Sequence, residues 1–160
     1  MERVKNIFFL IIGLVIVAWS FYMFLQQPAP AKYQRPSTWR VDGSVLKVGD
    51  RSISVELADT DTERIQGLSG RASLEHGSGL LFLFEKGSVQ GFWMKDMKFS
   101  IDIVWIDENW TVIGIERSVE PDSYPTVFYS NGPAKYVLEL NAGDAATLGI
   151  DIASKLSLDR

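Results

Sequence analysis

The sequence predicts a mainly β protein: a compact small barrel or sandwich of about seven to eight mostly antiparallel strands with one or two short helices, preceded by a single N-terminal transmembrane helix. Three observations carry this. From Val41 onward, apolar residues recur at period two or in short runs bounded by Gly, Asp and Asn, the signature of strands. Helical signals after that point are confined to two short stretches. Before it lies one long apolar run without a charge.

That run is Ile7 to Leu25, IFFLIIGLVIVAWSFYMFL. As a helix it reaches roughly 28 Å, close to a hydrocarbon core of about 30 Å. A cleaved signal peptide is the competing reading, with Arg3 and Lys5 as its basic start and Ala29-Pro30-Ala31 as a loose cleavage site. The run is longer than a secretory apolar core and ends in bulky Phe21, Tyr22, Met23 and Phe24, so an uncleaved signal-anchor is expected. Residues 1–6 are then the cytoplasmic N-terminus, and residues 42–160 form an extracytoplasmic domain at the cell membrane. Charge alone barely orients the span, because Lys32, Arg35 and Arg40 follow it; long following domains translocate largely regardless of charge.

Residues 26–41 read as a tether, with three prolines and no apolar period. The first 40 residues carry Glu2 against Arg3, Lys5, Lys32, Arg35 and Arg40, a balance of +4, so a whole-chain charge of −4 leaves −8 for the remainder. An acidic domain offers no basic face for phosphates, and nucleic acid is not an expected partner. Without cysteine there is neither a disulfide framework nor a thiolate metal site.

Within the domain, Val45 to Val48 and Ile53 to Ala58 flank Gly49-Asp50, a two-residue hairpin loop with Gly first. Thr60-Asp61-Thr62-Glu63 fits a capping box opening a helix through Gln66 or Leu68, closed by Gly67 and Gly70. LLFLF, Leu80 to Phe84, is apolar on both parities and suits a strand buried on both sides. The stretch GFWMKDMKFSIDIVWID, Gly91 to Asp107, reads as a strand end, a tight connection at Lys95-Asp96-Met97, and a strand from Phe99 to Ile106. Trp110 to Glu116 returns across a turn at 107–109, Pro121 to Pro133 is read as a loop, and Tyr136 to Leu140 as a strand. Asp144 is expected to cap one helical turn ending at Gly149, and Lys155 to Leu158 makes the last strand.

The motifs ERIQGLSGR (Glu63 to Arg71), GLLFLF (Gly79 to Phe84), GFWMKDMKFSIDIVWID and GPAKYVLELNAG (Gly132 to Gly143) resemble domain of unknown function family 192, also called uncharacterised protein family 0127, over roughly residues 45 to 158. The resemblance implies a small β-rich domain, often secreted or tethered to a membrane, with no settled activity. Ser69, Asp96-Met97 and Ser100 depart from that family's frequent Met, Asn-Thr and Pro.

The candidate site is drawn from the residues around the charged connection. Trp93 and Met94 supply an aromatic and apolar wall, and Lys95 a fixed charge. Asp102 shares a strand face with Val104 and Ile106 and is therefore at least partly buried. A buried carboxylate needs partners, offered by Lys95, Arg64, Arg71 or backbone N–H groups. Arg64 and Arg71 could also present guanidinium forks to a ligand anion.

Glu139, between Leu138 and Leu140, is expected to face outward, and His76 stands alone in a Gly-rich loop. No metal site, no cofactor and no catalytic residue is assigned: there is no G-x-S-x-G, Walker A, H-E-x-x-H or Rossmann glycine motif. The expectation is a module of the cell envelope that binds a small ligand or a partner through a cleft near Trp93, Met94, Lys95, Asp102, Arg64 and Arg71. Its alternatives are a small envelope hydrolase pairing Asp102 with Glu139 or Glu85, and an assembly module without a small ligand.

Overall fold

The computed structural model describes residues 43–159 and, before them, Trp19. The expected span apart from Trp19, its cytoplasmic end and the whole tether lie outside the described residues; among those described, no helix is long and apolar enough to cross a membrane.

Within residues 43–159, nine strands, two short helices and one 3-10 turn follow one another: β1 (Val45–Val48), β2 (Arg51–Ala58), α1 (Asp61–Gln66), β3 (Ser78–Ser88), β4 (Gly91–Trp93), β5 (Ile101–Ile106), β6 (Val112–Val119), a 3-10 turn (Pro121–Ser123), β7 (Val127–Tyr129), β8 (Ala134–Asn141), α2 (Asp144–Leu148) and β9 (Leu156–Asp159). Seven strands form one sheet in the order β6-β5-β8-β3-β2-β1-β9, while β4 and β7 form a separate pair. Pairing is antiparallel except between β2 and β3, which run parallel. That exception has a cause in the connection: α1 and the loop after it carry the chain back so that β3 starts at the same end as β2.

The sheet curls until its outer strands touch. Thr111 bridges Lys155, Val112 N–H donates to Ser154 O at 3.0 Å, and Leu156 N–H donates to Trp110 O at 2.9 Å, so the start of β6 meets the start of β9. The result is a half-barrel. Its inside is filled by side chains from all seven strands, among them Leu46, Ile53, Leu81, Val104, Val112, Leu138 and Leu156.

A second apolar layer covers the outer face of the central strands. It joins Leu80, Phe82, Ile101, Ile103, Trp105 and Val137 to Leu68, Leu74 and Met94 from the segments packed over them. This double cover explains why β5 is buried at all six positions and why LLFLF is apolar on both parities.

Local chemistry fixes the corners. Val48 pairs with Arg51 across Gly49-Asp50, and Gly49 takes the positive φ (+56°) that the first position of this turn needs. At α1, the Thr60 hydroxyl accepts from Glu63 N–H at 3.3 Å while Glu63 Oε2 accepts from Thr60 N–H at 3.0 Å and Asp59 N–H at 3.1 Å, completing the capping box. Burial acts to raise the Glu63 carboxyl, and the hydrogen bonds from Thr60 and Asp59 outweigh it, leaving Glu63 below its ordinary range.

Two expectations are corrected. The segment 121–133 is not all loop, because Val127–Tyr129 pairs with Gly91–Trp93; three residues beside prolines are too few to show a period. Asp144 does not cap α2. Gly143 is the N-cap, and the capping carboxylate comes from Asp102, far away in sequence.

Candidate ligand-binding cleft

A cleft of about 380 Å³ opens on the outer face of the sheet, between α1 with its following turn, the β3 strand and the β4 strand. Its walls are apolar and aromatic: Phe82 and Phe84 from β3, Phe92 and Trp93 from β4, and Met97 beyond. The Phe82 and Phe92 rings meet edge to face, 4.9 Å between centroids, which sets the wall's shape. Trp93 is 56% exposed and stands at the mouth.

The turn closing α1 makes room. Gly67 has φ 49° and ψ −137°, a conformation open essentially to glycine alone. A Cβ there would stand 3.4 Å from the Phe82 ring and 4.0 Å from Glu139 Oε2. Those contacts place an aromatic edge and a carboxylate oxygen on the same side of one glycine.

Glu139 is the polar group of the cleft that the sequence did not reveal. It was expected to face solvent, and it is instead 5% exposed. On β8 it pairs with Leu80 of β3 and Ile103 of β5, so it shares their face and points into the outer apolar layer. Its Oε2 is buried and has no hydrogen-bond partner among the described residues. Burial pushes the carboxyl up to about 8, against the opposing pull of Arg71. At neutral pH it is therefore largely a protonated acid, able to donate as well as accept.

Arg71 lies behind the cleft, 5% exposed, donating from Nη1 to Glu56 Oε1 at 3.2 Å and from Nη2 to Glu56 Oε2 at 2.8 Å. Arg64 does line the cleft. Its guanidinium sits 5.6 Å from the centre of the Phe84 ring and donates to Asp61 Oδ1 at 2.6 Å and to the carbonyls of Asp59 and Leu83 at 2.6 and 2.8 Å. Both arginines are thus engaged within the fold rather than held out as open forks.

Of the six sequence-predicted residues, the cleft brings together Arg64 and Trp93. Lys95 is exposed on the adjacent connection, where its carbonyl accepts from Ser69 Oγ at 2.8 Å, and does not line the cavity. Met94 is core, 1% exposed. Arg71 does not line the cleft, and its charge acts on Glu139.

Asp102 is placed elsewhere altogether. It is fully buried on the inner face, where Oδ1 accepts from Ser118 N–H at 2.8 Å and Oδ2 from Gly143 N–H at 2.9 Å and Ala145 N–H at 3.0 Å. Backbone amides, not the arginines or Lys95, satisfy it. Asp102 pairs with Leu140 and Glu139 with Ile103, so the two carboxyls point to opposite faces and cannot act on one bond; Glu85 is exposed. Asp102 ties β5 to the bulged end of β6 and to the start of α2.

Just as it marks Asp102, strand parity marks Glu139 as buried. Val137 stands on its parity and Leu138 and Leu140 on the other, leaving no solvent face. Among the described residues, no group of three or more His, Cys, Asp or Glu is placed to hold a metal ion.

The described residues form a small β-domain built on one curled seven-stranded sheet. The chain belongs to the family DUF192, Uncharacterized ACR, COG1430, whose model matches residues 44–158. Among solved structures it is similar to a candidate transcription regulator from Sinorhizobium meliloti 1021, at 30% identity and a TM-score of 0.65, covering 71% of this chain and 90% of that one. It is also similar to a protein of unknown function from Novosphingobium aromaticivorans DSM 12444, at 27% identity and a TM-score of 0.64, covering 82% and 98%. Comparison with curated proteins finds no match.

Proposed function

We propose that this chain is a membrane-anchored ligand-binding module of the cell envelope, its β-domain held outside the cytoplasmic membrane by residues 7–25. The observation that carries the binding part is the cleft. An aromatic cavity of about 380 Å³ with one buried, protonated carboxyl at its floor combines the apolar wall and the fixed polar group of a small-ligand site. The uncharged apolar run before a proline-rich tether supports the anchor. The regulatory role named for the Sinorhizobium protein finds no support in the charge of this domain, −8 over residues 41–160 from −4 for the chain and +4 for its first 40 residues.

Amide and indole NMR shifts of the 42–160 fragment, recorded against a library of uncharged aromatic and aliphatic fragments, test the binding reading. Shifts are expected to converge on the Trp93 indole and the Gly67 and Gly91 amides. Shifts scattered over the surface, or none, would refute a small-ligand site and favour the assembly module.

A further inference from the structure

Resting on the ligand-binding reading, we infer that the cleft selects a small organic ammonium ion carrying an apolar body, with Glu139 as its counter-ion and the rings of Phe82, Phe84, Phe92 and Trp93 around it.

Charge comes first. The cations nearest Glu139 and the cleft are already engaged by acids: Glu56 of β2 holds Arg71 through both guanidinium nitrogens, and Asp61 and Arg64 of α1 form their own ion pair. Glu63, also on α1, is occupied with the N–H groups of Asp59 and Thr60. With those cations engaged, an ionised Glu139 adds negative charge at the cleft. A bound anion would meet a carboxyl with no free cation beside it. A bound cation would complete the set.

The walls point the same way. Aromatic faces attract cations, and attract them more once water is excluded. This cleft already shows the contact, since the Arg64 guanidinium lies over Phe84 at 5.6 Å. Glu139 Oε2 is buried and takes no hydrogen bond among the described residues, so an N–H donor entering from the cleft has an acceptor waiting. The phenylalanine, tryptophan and methionine side chains of the lining, with Gln66, Ser69 and Gln90 among them, favour a ligand whose body is hydrocarbon or aromatic over a bare metal or ammonium ion.

Binding such an ion is coupled to a proton. Below about pH 8 the empty site holds a proton on Glu139, which the ammonium must displace to water. Apparent affinity should then rise about tenfold per pH unit up to about pH 8 and level off above it. Close to one proton should be released per ligand bound at pH 6.5.

The test is calorimetry on the full chain in nonionic detergent, titrated with 2-phenylethylammonium, with its uncharged analogue 2-phenylethanol, and with 3-phenylpropanoate. Glu139→Gln, which keeps size and hydrogen-bonding capacity while removing the ionisable group, is titrated identically so that micelle partition cancels. The expected result is that the ammonium binds at least tenfold more tightly than the alcohol, that the carboxylate does not bind, and that Glu139→Gln weakens the ammonium at least tenfold more than it weakens the alcohol. Equal binding of ammonium and alcohol, or an ammonium affinity untouched by Glu139→Gln or by pH, would overturn the cation preference and leave the cleft reading standing. Binding of none of the three, together with an NMR fragment screen without hits, would overturn both.

Discussion

Replacing Glu139 with Gln should make the domain less sensitive to alkali. In the folded domain Glu139 keeps its proton up to about pH 8, whereas in the unfolded chain it loses it near the ordinary glutamate value of 4.5. Between those values the folded state binds one more proton than the unfolded state, so raising the pH favours unfolding. The stabilisation is complete below about 4.5 and is lost as the pH climbs through about 8. The slope is on the order of 1 kcal/mol per pH unit, and the whole window is worth several kcal/mol, a large part of a small domain's stability. At 5% exposure there is little solvent to screen the effect. Glutamine mimics the protonated acid, so near pH 5 the two proteins should have similar denaturant midpoints. By pH 9 the wild type should be the weaker by several kcal/mol. Urea unfolding of both 42–160 domains at unit pH intervals from 5 to 9, read where the slopes agree, gives the difference curve. Parallel curves, or a wild type that gains on the variant as the pH rises, would refute the burial of an unbalanced acid at this position.

Other outcomes follow from the same geometry. Asp102→Asn turns an amide toward backbone donors and should destabilise the 42–160 domain by about 2–4 kcal/mol without changing fragment shifts at Trp93, since Asp102 lies on the opposite sheet face; an equally stable variant would contradict the three-amide cradle. Arg71→Met strips the buried Glu56 of its bidentate partner and should cost about 3–5 kcal/mol in denaturant unfolding. Gly67→Ala, forced into a glycine backbone conformation, should cost about 1–3 kcal/mol and narrow the cleft, measured by thermal unfolding and by loss of fragment binding. Protease added to spheroplasts should remove the C-terminal domain and leave residues 1–6 protected; a fully protected domain would place it in the cytoplasm.

Much of this architecture was legible because local chemistry decides it. A hairpin loop with glycine first, a Thr-x-x-Glu box and runs apolar on both parities each admit few backbone solutions, and β1–β2, α1 and the doubly buried β3 and β5 follow the sequence closely. The motifs of the family also lay in plain view in order along the chain. Trp93 and Arg64, expected at a site from their neighbourhood, both line the cleft, and the burial of Asp102 is written in its strand parity.

What tertiary structure decided was which face meets which layer. β4 pairs with β7, a strand of three residues hidden among prolines, and that pair helps to build the outer wall over Phe82. That Glu139 shares a face with Leu80 and Ile103 beneath the aromatic cleft depends on β8 lying between β3 and β5, a strand order that no short-range pattern encodes. Asp102 and Glu139 are both acids inside apolar strands, alike in sequence and opposite in fate. One falls where three amides converge and holds the scaffold together; the other falls under an aromatic cleft with an oxygen left over, because adjacent strand positions point to opposite sides of the sheet and only the packing on each side determines what they meet.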